Sequence, residues 1–204
     1  MLKVTIVSCV VLLFVVAAGP PAPVEAQGQE RGFVDLYGGA TRLFEADVPT
    51  WQFADNTPVV GARVGVWLGQ NWGVTLRTWY FQTDAKEEAG LSPSDLAFLG
   101  VSLELLGRWS LGERWALYGS LGPSLAVNTL DVQIDPATRR EDDARSVAVG
   151  ASGAVGVEFR ILASLRAFVE AQTSFVFPSF ELRDRTISPR LINVYGLTGI
   201  RIAF

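Results

Sequence analysis

Histidine is absent from this 204-residue chain, and cysteine occurs only at Cys9. The first absence removes the side chain most often used as a general base near neutral pH, and also the commonest metal ligand. The second leaves nothing for a disulfide framework or a cysteine metal site. Clustered basic charge is lacking too. With 17 Lys and Arg against 21 Asp and Glu the formal net charge is -4, which argues against nucleic acid, whose phosphates are held by grouped Lys and Arg. No second apolar run of about 20 residues follows Ala18, so no transmembrane helix is expected beyond that point. Long amphipathic helical patterns are missing as well.

What is present begins with one apolar run, Val4 to Ala18, interrupted only by Thr5, Ser8 and Cys9. Lys3 precedes it, and Gly19-Pro20-Pro21-Ala22-Pro23 breaks it ahead of Val24-Glu25-Ala26. The run is shorter than an anchor helix needs, and small residues suited to cleavage follow it. A secretory signal peptide over 1–26 is expected, with the exported domain at 27–204. Ile6-Val7-Ser8-Cys9 superficially looks like a lipoprotein cleavage box, but the apolar stretch lies mostly after the cysteine. Lipidation is therefore not expected, and Cys9 leaves with the leader.

The remainder reads as eight segments of alternating polarity, at Gly32 to Leu43, Pro58 to Leu68, Gly73 to Gln82, Leu96 to Trp109, Trp115 to Asn128, Ser146 to Phe159, Ser164 to Val176 and Arg190 to Phe204. Each is long enough for a tilted strand to cross a hydrocarbon layer. Short turns at 69–72, 110–114 and 160–163 alternate strictly with long polar connections at 44–57, 83–95, 129–145 and 177–189. Outer-membrane barrels have short periplasmic turns and longer external loops. An all-β, eight-stranded antiparallel up-and-down transmembrane barrel is expected, with both termini at the short-turn end. A soluble up-and-down barrel could have as many strands, but nothing in its physics demands such an asymmetry.

Parity sorts the side chains. With the more apolar face outward, the charges within the spans fall inward: Asp35, Arg63, Arg77, Glu104, Arg108, Glu158, Arg166, Glu170 and Arg201. An Arg facing lipid at the midplane would cost about 2–4 kcal/mol. Trp72, Trp109, Trp115, Phe159 and Phe204 have outward parity beside the short turns or at the terminus, where aromatic rings form an interfacial girdle. Tyr80, Phe175 and either Trp51 or Phe177 are expected in the opposite girdle. Only side chains fit inside eight strands, so the inward charges are expected to pair as a packed plug, with glycines such as Gly61, Gly100 and Gly156 making room for Arg and Tyr. Pro123 cannot donate to a ladder, and a bulge or bend is expected at Gly122-Pro123.

The last segment, Arg190 to Phe204, alternates up to a terminal aromatic. With this ending the chain resembles the OmpA-like family of small bacterial outer-membrane β-barrels. The resemblance implies outer-membrane residence, contact with outer-membrane lipids and lipopolysaccharide, and delivery by the barrel-assembly machinery through Phe204. Because the chain stops at Phe204, the cell-wall anchoring of larger relatives is not expected. Outer-membrane lipid A deacylases and palmitoyltransferases use an active-site histidine, so enzymatic activity is not carried over. Glu158 or Ser174 could supply acid or nucleophilic chemistry, but no base is spaced beside a nucleophile. No cofactor, metal or nucleic acid is expected, and a monomer is. The role expected is structural or adhesive, through charged external loops; a small solute pore and a soluble periplasmic ligand-binding barrel are the alternatives.

Overall fold

The computed structural model describes residues 31–45, 52–53, 56–86, 92–135, 140–182, 185–188 and 190–204. The expected leader, its cleavage point after Ala26, and Trp51 lie outside the described residues. In chain order the strands are β1 (Gly32–Glu45), β2 (Gln52–Phe53), β3 (Thr57–Trp67), β4 (Trp72–Lys86), β5 (Ser92–Ser110), β6 (Trp115–Asp135), β7 (Arg140–Arg160), β8 (Leu165–Val176), β9 (Phe180–Leu182), β10 (Arg185–Ile187) and β11 (Leu191–Ala203).

Eight of them close a ring. β1 pairs with β3, the pairing continues neighbour to neighbour through β8, and β11 returns to β1, every contact antiparallel. β2 pairs only with the far end of β4, and β9 and β10 form a separate hairpin. At the seam the Phe204 amide donates to the Gly32 carbonyl at 2.9 Å, and the Phe204 carbonyl accepts from Arg31 at 2.8 Å and from Gly32 at 2.9 Å. Closure satisfies backbone groups that no water could satisfy in lipid.

Alternation along each strand sets what faces where, because successive side chains point to opposite faces of a pleated strand. On β8 the residues from Arg166 to Val176 alternate strictly between buried and more exposed. The outer face is apolar: Leu121 is 69% exposed, Val147 72%, Val155 62% and Val169 66%. On β6 this face is apolar from Trp115 to Val127. Twelve steps of about 3.4 Å, tilted by about 40°, give about 30 Å, the thickness of a bilayer's hydrocarbon core. Among the described residues no helix is long and apolar enough to cross a membrane; the strands provide the crossing surface.

Three expectations need correction. The connections at 83–95 and 129–145 are largely strand, since β4 runs to Lys86, β5 starts at Ser92, β6 runs to Asp135 and β7 starts at Arg140. The 177–189 connection contains the β9–β10 hairpin. At Gly122-Pro123 there is no bulge. Ser102 pairs with Ser124 and Leu105 with Leu121 in one unshifted register, and the rungs between them are simply missing, while towards β7 Gly122 pairs with Ser152 and Pro123 with Ala151. A proline deprives the ladder of a donor without requiring an inserted residue. Register shifts lie instead between Pro93 and Asp95 and between Gln133 and Asp135.

The short turns share one closure. The amide of Leu68 donates to Trp72, Leu111 to Trp115 and Ile161 to Leu165, at 2.8, 2.8 and 2.9 Å. In the middle turn Gly112 has φ of 132°, a conformation that side chains with a Cβ rarely adopt.

Candidate functional site

The candidate site is the lumen. Among the residues whose burial is described, every barrel strand except β6 brings at least one charged residue inward: Asp35 from β1, Arg63 from β3, Arg77 from β4, Glu104 and Arg108 from β5, Glu158 from β7, Arg166 and Glu170 from β8, and Arg201 from β11. Eight of the nine are buried, and the Arg108 side chain is 14% exposed.

They form one unbroken run of ion pairs. Glu104 meets Arg77 Nε at 3.3 Å, and Arg77 also holds both oxygens of Glu170. Glu170 then accepts from Arg63 Nη1 at 2.9 Å, and Arg63 Nε reaches Asp35 at 2.6 Å. The second oxygen of Asp35 accepts from Arg201 Nε at 2.8 Å, and Arg201 Nη1 donates to Glu158 at 2.5 Å. Glu158 ends the run with Arg166 and Arg108, each at 2.6 Å.

Register explains this order. Asp35 sits directly across from Arg201 on one side and Arg63 on the other. Arg63 also faces Arg77, and Arg201 faces Arg166. Like charges directly opposite destabilise a sheet; Glu170, reaching across the lumen, bridges the first pair, and Glu158 bridges the second. Buried charges are tolerated only when paired and hydrogen-bonded. Glu104 receives three further hydrogen bonds, from Ser102 at 2.7 Å, Ser120 at 2.6 Å and Ser152 at 2.7 Å. The guanidinium of Arg201 lies 4.0 Å from the centre of the Phe33 ring, and that of Arg63 lies 5.2 Å from Tyr118 and 5.5 Å from Phe168, so aromatic faces shield what the carboxylates do not.

The five outward aromatics stand at the short-turn end. Trp72, Trp109, Trp115 and Phe204 are about half exposed, and Phe159 is partly covered. Trp72 meets Trp109 edge-on at 6.3 Å, and Trp115 lies 4.8 Å from Phe159. At the other end Tyr80 is partly exposed, Phe175 is 43% exposed and Phe177 61%.

Three members of an inner aromatic cluster, Trp79, Phe81 and Phe98, escaped the sequence reading. Trp79, Phe81, Phe98 and Tyr195 are buried on the long-connection side of the ion pairs, with Phe81 and Phe98 stacked at 4.9 Å. The signal was there: Trp79 and Phe81 share the parity of Arg77. The glycines make room for tyrosine as expected at Gly61 and Gly156, where the adjoining rings are those of Tyr37 and Tyr118; at Gly65 and Gly100 the adjoining side chains are the rings of Phe33 and Trp79, where arginine or tyrosine was expected. At Gly39, Gly122 and Gly150 it is the carbonyl of a neighbouring strand that leaves no room for a Cβ.

A prediction follows. A Cβ at Gly156 would stand 2.5 Å from Tyr118, whereas one at Gly196 would meet nothing within 4 Å. Gly156→Ala should destabilise by about 1–3 kcal/mol through overpacking, and Gly196→Ala should be neutral or slightly stabilising. Urea unfolding of the two variants in vesicles gives the comparison, and equal midpoints would contradict it.

Among the described residues no group of three or more Asp, Glu, His or Cys is placed to hold a metal. A closed, all-antiparallel barrel with an apolar exterior, girdles at both rims and charges turned inward is the architecture of an outer-membrane β-barrel. The family model for the outer membrane protein beta-barrel domain matches residues 9–181, and the chain belongs to that family. Solved structures agree on the fold. OprG from Pseudomonas aeruginosa superposes with a TM-score of 0.57 at 16% identity, covering 88% of this chain and 99% of that one. Neisserial surface protein A gives 0.55 at 10% identity, with coverage of 85% and 97%. Ail, the attachment invasion locus protein of Yersinia pestis, gives 0.53 at 13%, with 85% and 100%. A sequence comparison with curated proteins finds no match.

Proposed function

We propose that this outer-membrane barrel has a structural or adhesive role, presenting its long connections outside the cell while its ion-paired lumen lets no solute pass through. The observation that carries this reading is the single run of ion pairs joining all nine inward charges. An eight-stranded ring has room only for side chains, and here these are large and mutually engaged. Three strands, β5, β6 and β7, reach 19, 21 and 21 residues, well past the apolar band. That favours presentation of a surface, and loops on a rigid scaffold commonly carry binding. Ail, named for attachment and invasion, shares the fold. The reading is non-catalytic: the serines nearest a carboxylate, Ser102, Ser120 and Ser152, are buried and donate to a Glu104 already paired with Arg77. The proposed mature chain starts at Gln27, is a monomer with no cofactor, contacts lipid and lipopolysaccharide, and is inserted by the assembly machinery through Phe204.

The test is topological. An epitope inserted between residues 137 and 138 should be detected on intact cells, one in the 111–114 turn only after permeabilisation, and the membrane-bound protein should have the mass of 27–204. Reversed labelling, or recovery wholly in the soluble periplasm, would overturn the reading and favour a soluble ligand-binding barrel. Adhesion is read by attachment of cells to extracellular-matrix coats, with and without replacement of 130–144 by a short turn; unchanged attachment would leave the structural role alone standing.

A further inference from the structure

The external half of the lumen has two unlike walls. One carries the aromatic cluster. The other, formed by β6 from Ser120 to Asn128 and β7 from Ser146 to Ala154, has only Ser, Gly or Ala at its inward positions apart from Asn128. On this small wall three polar atoms are buried without a hydrogen-bond partner: the Ser124 hydroxyl and both ends of the Asn128 amide. Asn128 is fully buried and Ser124 is 2% exposed. Buried polar groups of folded proteins almost always have partners, and an orphan bears the full desolvation penalty. Both groups are uncharged, and each offers a donor and an acceptor.

Above this wall the chain folds over. Ser146, the rung partner of Asn128, accepts a hydrogen bond from the Ser179 amide at 2.8 Å, and Phe180, next in sequence, is buried. We propose that the segment around Phe180 is a cap on a blind polar vestibule, and that Ser124 and Asn128 bind water and other small uncharged hydrogen-bonding solutes when the cap lifts. The orphaned atoms raise the free energy of the closed state and so bias the cap towards opening. Beneath the vestibule Glu104 and its serines begin the ion-paired run, so entry leads nowhere further.

The exported chain has no cysteine of its own, which makes thiol labelling clean. In a Cys9→Ser background, Ser124→Cys should react with uncharged methyl methanethiosulfonate about ten times faster once Phe180→Ala is added. Negatively charged sulfonatoethyl methanethiosulfonate should lag well behind, and Ala154→Cys, below the vestibule, should stay unlabelled. Asn128→Leu removes the orphaned amide from the closed state and should slow the reaction at Ser124→Cys at least about tenfold, the ratio expected from a single unsatisfied donor or acceptor. Heat-modifiable migration confirms that each variant is folded. Labelling indifferent to both Phe180→Ala and Asn128→Leu would overturn the cap, and equal rates for the charged and uncharged reagents would overturn the uncharged-solute vestibule.

Discussion

Glu170→Ala is expected to lower the free energy of unfolding from lipid by about 3–5 kcal/mol, the range for breaking a buried pair by removing one partner. Among the described residues Glu170 is the only carboxylate contacting both Arg63 and Arg77, which face each other across the β3–β4 ladder. Without it Arg77 keeps Glu104 and Arg63 keeps Asp35, but two adjacent guanidinium groups lose the charge between them. Glu104→Ala should act in the same direction, leaving three serine hydroxyls without their acceptor. Glu113→Ala, on an exposed turn, is the control and should move stability by less than about 0.5 kcal/mol. Urea titration in vesicles reads all three. A Glu170→Ala midpoint equal to that of Glu113→Ala would show that the pairs do not hold the ring together.

The second large effect is expected on the opposite face. Leu121 lies midway between Trp115 and Val127, at the centre of the apolar band, and is 69% exposed. Leu121→Arg should cost about 2–4 kcal/mol, whereas Val147→Arg at the rim should cost about 0–1. Val147 pairs with Val127, and two rungs further out, on the same face, the chain already carries Arg145, exposed and opposite Thr129. The same titration compares the two, and equal costs would contradict a membrane centred on Leu121.

Parity made most of this legible from sequence, because one rule serves every strand. Lipid selects the outer face and the narrow ring selects the inner one, so each charge within a span could be assigned a side. The ends of the long strands were not legible because the rule changes phase. On β6 the odd positions are apolar up to Val127; beyond it Leu130, Val132 and Ile134 alternate with Asp131, Gln133 and Asp135. That is still strand alternation, inverted where the outer face meets water. Read as polarity alone, it resembled a loop. The pairing order inside was illegible for another reason: it depends on which strands face across the ring. Glu170 and Arg77 are 93 residues apart, and no local spacing brings them together. The inner aromatics Trp79, Phe81 and Phe98 were hidden because an apolar ring packed in the lumen has the same polarity as one facing lipid, and only its parity with the inward charges tells the two apart.

The central claim, a lumen closed by ion pairs, is tested most directly by current. Folded protein, verified by heat-modifiable migration, should give no steady conductance after insertion into planar lipid bilayers. A stable open channel in the unmodified protein, whose ion selectivity shifts in Glu170→Ala while its unfolding midpoint does not, would contradict the plug and establish a pore.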